Sequence, residues 1–285
     1  MLLTDELFER GINQKEICSV IDDNYVLLHK TMPCSDEELT EYINNMKKAK
    51  KNGIDLSCIT DYKLQSGATH TFGKIAYTKG VFIEERAKGI THDGNTDTYL
   101  RPNKEYNYEE VARKYLYDLT SYIEKLEYFA LGTQEMYDKF VSDYVNFSKY
   151  NIVIDPKPTN FFFDKDIGFT IIDPIPKHNG YKDDIEYFPS YIAGAVFGYG
   201  CPYVSAEKSR RFITMDLLIR LNNATMNIVN KLTTALRKNN LNEEDIQKGI
   251  QRFTGRIGYN TEVIDINDLS DCIKYLHTNE QEKSL

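Results

Sequence analysis

Asn151-Ile-Val-Ile-Asp155-Pro-Lys157-Pro-Thr-Asn160-Phe-Phe-Phe-Asp-Lys-Asp-Ile-Gly168-Phe-Thr-Ile-Ile-Asp173-Pro174 is the stretch on which the fold turns. Its three apolar runs, Ile152 to Ile154, Phe161 to Phe163 and Phe169 to Ile172, are rich in β-branched and aromatic residues and read as short buried strands. Asp164-Lys-Asp-Ile-Gly168 separates the last two, has hairpin length and carries the glycine such turns need, so an antiparallel hairpin is predicted. Pairing Phe163 with Phe169 or Thr170 sets Asn160 opposite Ile172 or Asp173, with Asp155 just before the open end. Two carboxylates and an amide oxygen are hard ligands, and their convergence suits Mg²⁺ with a phosphate attached.

Working outward, the N-terminal part is strand-rich. Ile17-Cys-Ser-Val-Ile21 and Tyr25-Val-Leu-Leu-His-Lys30 flank Asp22-Asp-Asn24, a hairpin signal. Ser35-Asp-Glu-Glu38 fits a helix capping box, with Leu39, Ile43 and Met46 following at helical spacing up to Gly53. Cys58 to Leu64 and Gly80 to Gly89 read as two further strands, and the polar, Gly-containing segment Lys88 to Lys104 as a linker.

After the linker the pattern turns helical. Val111, Tyr115, Leu119, Tyr122, Ile123 and Leu126 lie along one face, and Met136, Phe140, Val141, Tyr144 and Val145 along a second that leads into the central stretch. Beyond Asp173 come a polar loop, the apolar segment Ile185 to Tyr203, a long helix from about Ala206 to Arg237, a shorter one from Glu243, and a last from Asp268 to Leu276. The expected fold class is α+β, with one domain over 1–88 and a mainly helical one over 89–285.

Composition narrows the function classes. The 285 residues are ample for a sizeable core in one large domain or two lobes. Charges of mixed sign sum to -8, which argues against non-specific nucleic-acid binding, and the basic run Lys47-Lys-Ala-Lys-Lys51 closes a helix where cations complement the dipole. Cys18, Cys34, Cys58, Cys201 and Cys272 are scattered without a C-x-x-C pair, as expected in a reducing compartment and without a zinc site. His29, His70, His92, His178 and His277 have no metal-ligand or triad spacing. The N-terminus lacks a cationic head followed by a long apolar core, and no window approaches membrane-spanning length. A soluble, cytoplasmic chain is expected, with no membrane or nucleic-acid partner; export by a specialised machine would leave no mark in the sequence.

Asp155-Pro-Lys157-Pro-Thr-Asn160 resembles the D-x-K-P-x-N catalytic loop of protein kinases, and Asp173, thirteen residues after Asn160, falls where that family places its metal-binding D-F-G aspartate. The resemblance implies a two-lobed protein-kinase-like fold with a small β-rich N-lobe and a larger helical C-lobe. It gives Asp155 the acceptor hydroxyl, Lys157 the transferred phosphate, and Asn160 and Asp173 the Mg²⁺. Lys30, ending its strand, takes the place of the ATP-phosphate lysine, with Glu38 or Glu41 of the following helix as its partner, Glu38 being nearer the apolar stripe. Ile83 takes the gatekeeper place, and the backbones of Glu84 and Arg86 the adenine.

The departures are specific. Only Gly11 stands in the segment Phe8 to Gln14, where kinases have a Gly-rich loop; Val153 and Ile154 replace His-Arg; and no A-P-E anchor is found. Lacking that arginine, the chain has no receiver for a phosphorylated activation loop. The short polar loop after Asp173 also resembles small-molecule kinases of the aminoglycoside phosphotransferase type. The implied function is ATP- and Mg²⁺-dependent phosphoryl transfer to a hydroxyl of a protein or small molecule. The alternatives are a pseudokinase that binds without turnover, and adenylyl transfer on the same fold.

Overall fold

The structure, a computed structural model, describes residues 1–14, 18–65, 70–72, 75–91, 120, 123–153, 160–176 and 215–248. In chain order its elements are α1 (Asp5–Asn13), β1 (Cys18–Val20), β2 (Tyr25–Met32), α2 (Asp36–Lys51), β3 (Ile59–Leu64), β4 (His70–Phe72), β5 (Ile75–Glu85) and β6 (Ile90–Thr91). There follow α3 (123–130), α4 (Gln134–Asn146), a 3₁₀ turn (Phe147–Tyr150), β7 (Ile152–Val153), β8 (Phe161–Asp164), β9 (Gly168–Ile171), β10 (Ile175–Pro176), α5 (Met215–Lys238) and α6 (243–248). The protein is thus α+β, with a small antiparallel sheet and helices. None of its described helices is long and apolar enough to cross a membrane. Helical residues expected before Ile123, the segment Ile185 to Tyr203 and the last helix at Asp268 to Leu276 lie outside the described residues.

Two compact units form: Met1–Gly89 with Lys139–Asp155 and Asn160–Glu186, and Ile90–Asp138 with Pro156–Thr159 and Tyr187–Leu285. The first unit therefore gathers the central hairpin with the N-terminal residues. Its sheet runs β1-β2-β5-β3, with β4 on β5, every pair antiparallel. The β1–β2 turn is closed by Asp22, whose Oδ1 accepts the N–H of Asn24 (2.7 Å) and of Tyr25 (2.9 Å), an Asx turn.

Successive side chains on a strand point to opposite faces. On one face Leu27, Val81 and Ile83 are fully buried beneath Leu3 and beneath Leu7, Phe8 and Ile12 of α1. This helix occupies the place where the resemblance sets a phosphate loop. Thr4 caps it, accepting from the N–H of Leu7, and Asp5 and Glu6 in its first turn complement the helix dipole. Gly11 serves close packing instead: a Cβ there would stand 2.5 Å from Val81 Cγ1.

The helix α2 opens on the expected capping box, Ser35 receiving the Glu38 N–H and Glu38 receiving the Ser35 N–H, and buries Leu39, Tyr42, Ile43, Met46 and Ala49. The central hairpin has the Phe163↔Phe169 register, with Phe161 opposite Ile171 and the Ile172 N–H donating to the Asn160 carbonyl at 2.8 Å. Its turn is held by Asp164 Oδ1, which accepts from Asp166 and Ile167. Phe140 of α4 packs on it, 5.2 Å from the Phe161 ring and 4.5 Å from that of Phe169. Backbone bonds from Ser57 to Ile171 and from Ile171 to Asp55 tie the hairpin to the segment before β3. Gly89, at φ +92, backs onto β8 so closely that a Cβ would lie 1.9 Å from the Phe163 carbonyl oxygen.

The second unit is mainly helical where described, β6 apart. Leu217, Ala224, Ile228, Val229, Leu232, Ala235 and Leu236 bury one stripe of α5, and Ile123, Leu126 and Phe129 that of α3. Lys231 donates to the carbonyls of Ala130 (2.7 Å) and Gly132 (2.6 Å), satisfying the C-terminal end of α3, and Arg220 grips Glu127 with two hydrogen bonds.

Candidate functional site

The face of the sheet opposite α1 carries the chemistry. Register pairs Val26 with Glu84, Leu28 with Phe82 and Lys30 with Gly80, so Lys30, Phe82 and Glu84 all point to this face. Having no side chain across from it at Gly80, the stem of Lys30 runs over Phe82, its Nζ 5.9 Å from the ring centroid. The ammonium ends 2.6 Å from Asp173 Oδ1 and 3.5 Å from Glu84 Oε2.

Asp173 arrives from the open end of the hairpin and is held on both sides. Before it, the Ile172 N–H is bound to the Asn160 carbonyl; after it, the buried Tyr42 hydroxyl of α2 donates to the Pro174 carbonyl. Asp173 itself has φ +48, a left-handed conformation that side-chain-bearing residues adopt at a cost of about 1 kcal/mol or more. Backbone strain of this kind persists where the surroundings enforce it.

Side-chain exposure is 13% for Lys30, 5% for Glu84 and 51% for Asp173. Burial alone would lower the Lys30 pKa, but the charges of Glu84 and then Asp173 outweigh it and hold the ammonium above its ordinary value. For Glu84 burial wins: its carboxyl sits above the usual range, with Lys30 pulling it down and the Asp173 charge adding to the rise. Glu84 Oε2 is buried without a hydrogen bond. Burial also raises Tyr42 well above the ordinary phenol range.

One cation facing two carboxylates leaves the cluster with an excess negative charge, and its half-exposed member is Asp173. The Asp173 carboxylate could hold a hard divalent cation, and the ladder sets the backbone of Asn160 against that of Ile172, the residue before it. Among the described residues no group of three or more His, Cys, Asp or Glu side chains forms a metal-binding cluster.

Of the residues singled out in the sequence, Lys30, Glu84 and Asp173 come together, with Asn160 beside them through the hairpin ladder. Asp155 and Lys157 lie outside the described residues. Glu38 caps its own helix, and the described carboxylates that reach Lys30 are Glu84 and Asp173; Glu41 is exposed. Backbone placement also differs from the adenine edge set out above. Glu84 sits inside β5, paired with Val26 on one side and Ile59 on the other, and the Arg86 N–H is spent on the Asn24 carbonyl at 2.7 Å. The Arg86 guanidinium reaches the Asp22 carbonyl and lies 3.7 Å from Asp23. The physical reason is that β5 continues as a central strand through Glu85, so both its edges are consumed by the ladder.

The side chain of Glu84 is the charged group beside Lys30 that the motif spacing did not point to. Its signal was a charged residue closing the fully apolar run Val81-Phe-Ile83 at a strand position on the Lys30 face. No family model matches the chain, and no curated protein does.

Proposed function

We propose that this chain is an ATP- and Mg²⁺-dependent phosphotransferase with a two-lobed, protein-kinase-like build, acting on a hydroxyl of a protein or a small molecule. The observation that carries the reading is the 2.6 Å contact between Lys30 Nζ and Asp173 Oδ1, residues 143 apart in the chain that the catalytic-loop resemblance pairs in one site. In the reaction the bond from the γ-phosphorus to the ADP oxygen breaks and a bond to the acceptor oxygen forms, while the hydroxyl proton passes to Asp155. Lys157 meets the transferred group, and Lys30 offsets phosphate charge. Asn160 and Asp173 would hold Mg²⁺, which would supply charge neutralisation at the phosphate oxygens.

A second reading, nucleotide binding without turnover, is favoured by one observation: residues Phe8 to Asn13 form part of a packed helix rather than a glycine-rich phosphate loop. Among the described cysteines Cys18, Cys34 and Cys58 are free thiols, and burial pushes the Cys34 and Cys58 thiols up to about 12, away from nucleophilic use in either reading.

Titration calorimetry with Mg²⁺ and ATP, followed by intact mass of the chain and of candidate acceptors, tests the proposal. Addition of phosphate is expected, lost by a factor of about 10² to 10⁴ in Asp155→Ala while nucleotide heat is retained. Addition of AMP moves the reading to adenylyl transfer, heat without any addition moves it to a binding module, and no heat at millimolar nucleotide overturns it.

A further inference from the structure

We propose that Glu84 of β5 is the positioning residue for Lys30, the task that the kinase resemblance hands to a glutamate of α2. The functional consequence rests on the phosphotransferase reading; the placement rests on geometry alone. Glu84 stands on a central strand whose backbone is paired on both sides, so its carboxylate is fixed by ladder register rather than by a loop or helix end. Its side chain is 5% exposed, and its Oε2, 3.5 Å from the ammonium, has no hydrogen bond of its own. The other support of this carboxylate is the backbone of Asp173, so Lys30 is the one cation that faces it among the described residues, and a buried carboxylate depends on its cation.

Lys30 has a second anion, but of a different kind. Asp173 is half exposed and follows the hairpin, where it is the group available to a divalent cation; Glu84 is nearly buried within the sheet. Phe82 lies beneath the ammonium, and the buried Tyr42 hydroxyl of α2 is committed to the Pro174 carbonyl. Glu38 is committed to the N-terminus of α2. The lysine is thus held from the sheet, by a residue on its neighbouring strand, and helix α2 contributes through the backbone of the segment that carries Asp173.

The test compares the full chain with Glu84→Gln, Glu84→Asp and Glu38→Gln. Lys30 accessibility is read by acetylation with a water-soluble N-hydroxysuccinimide ester and peptide mass mapping, and ligand binding by calorimetry with Mg²⁺ and a non-hydrolysable ATP analogue. Glutamine keeps the shape of Glu84 and removes the charge, so Glu84→Gln is expected to fold, to label Lys30 several-fold faster and to weaken the analogue about tenfold or more. Glu84→Asp should recover part of both. Where turnover is measured, KM for ATP should rise more than kcat falls, since a positioning group acts on bound nucleotide. Wild-type labelling and binding in Glu84→Gln, or a larger effect from Glu38→Gln, overturns the assignment. If the wild type fails to bind the analogue while Glu84→Gln still unmasks Lys30, the phosphotransferase reading falls and the positioning stands.

Discussion

Two clusters in the first unit have the same ingredients, one lysine, one nearly buried carboxylate and one half-exposed carboxylate, and opposite characters. In the first, Lys139 on α4 donates to both oxygens of Asp143 at 2.9 and 2.7 Å and to the Gly53 carbonyl at 2.6 Å, and lies 3.2 Å from Asp55. Asp143 also accepts the Asp55 N–H at 2.9 Å, so the buried anion has partners on both sides. In the second, Lys30 faces Glu84 and Asp173, yet the buried oxygen of Glu84 has no hydrogen bond and Asp173 sits at positive φ. The lysine is 45% exposed in the first and 13% in the second. Identical charge counts therefore do not make equivalent sites. The first is a staple joining α4 to the segment after α2, and the second keeps unspent bonding capacity and backbone strain, which is where ligand chemistry is expected.

The comparison breaks most readily at the lysines. Lys30→Met should cost roughly 3–5 kcal/mol of unfolding free energy because it strands Glu84 in a buried setting. Lys139→Met should cost about 1 kcal/mol, since Asp143 keeps the Asp55 amide and Lys139 is half in water. Urea unfolding of both variants without ligand measures this, and equal losses would erase the distinction drawn between the clusters.

A smaller effect separates the half-exposed carboxylates. Asn tolerates positive φ, so Asp173→Asn should fold normally, yet weaken Mg²⁺·ATP about tenfold or more through loss of the anionic metal ligand. Asp55→Asn should leave nucleotide heat unchanged and lower the melting temperature by a degree or so, on the order expected for a half-exposed pair. A drop in nucleotide affinity for Asp55→Asn of the same size would show that charge alone, not placement, sets binding.

The smallest effect is in pH. Burial raises both Glu84 and Asp143 above their ordinary values, so in the window from that value up to the raised one the native chain keeps a proton the unfolded chain has lost. Stability then falls as pH rises through the window, and removing the titrating group flattens the fall. Thermal unfolding of Glu84→Gln and Asp143→Asn from about pH 4 to about pH 7 checks it. A profile parallel to wild type in both variants would mean that neither carboxyl carries the raised value.

How much of this was legible in the residues depends on the range of the interaction. The hairpin register followed from apolar runs across a short loop, and the α2 start from Ser35 and Glu38, because each is settled within a few residues. Helix α1 had an equally local signature, Thr4 before Asp5 and Glu6 with Leu7, Phe8 and Ile12 at helical spacing. Gly11, the lone glycine where kinases have a Gly-rich loop, is explained by its packing against Val81, which no local signal carries.

By itself the sequence determined the α+β class, the hairpin that ends at Asp173, and the choice of Lys30, Asn160 and Asp173 as chemically loaded residues, since local propensity, turn chemistry and motif spacing travel with the chain. The tertiary structure alone decided which acid the lysine meets. Strand pairing of β2 with β5 puts Glu84 on the Lys30 face, where it is nearly buried, and the hairpin brings Asp173 to the same ammonium. Register and burial are properties of segments far apart in the chain, and a carboxylate's role is set by the water and the partners it is left with.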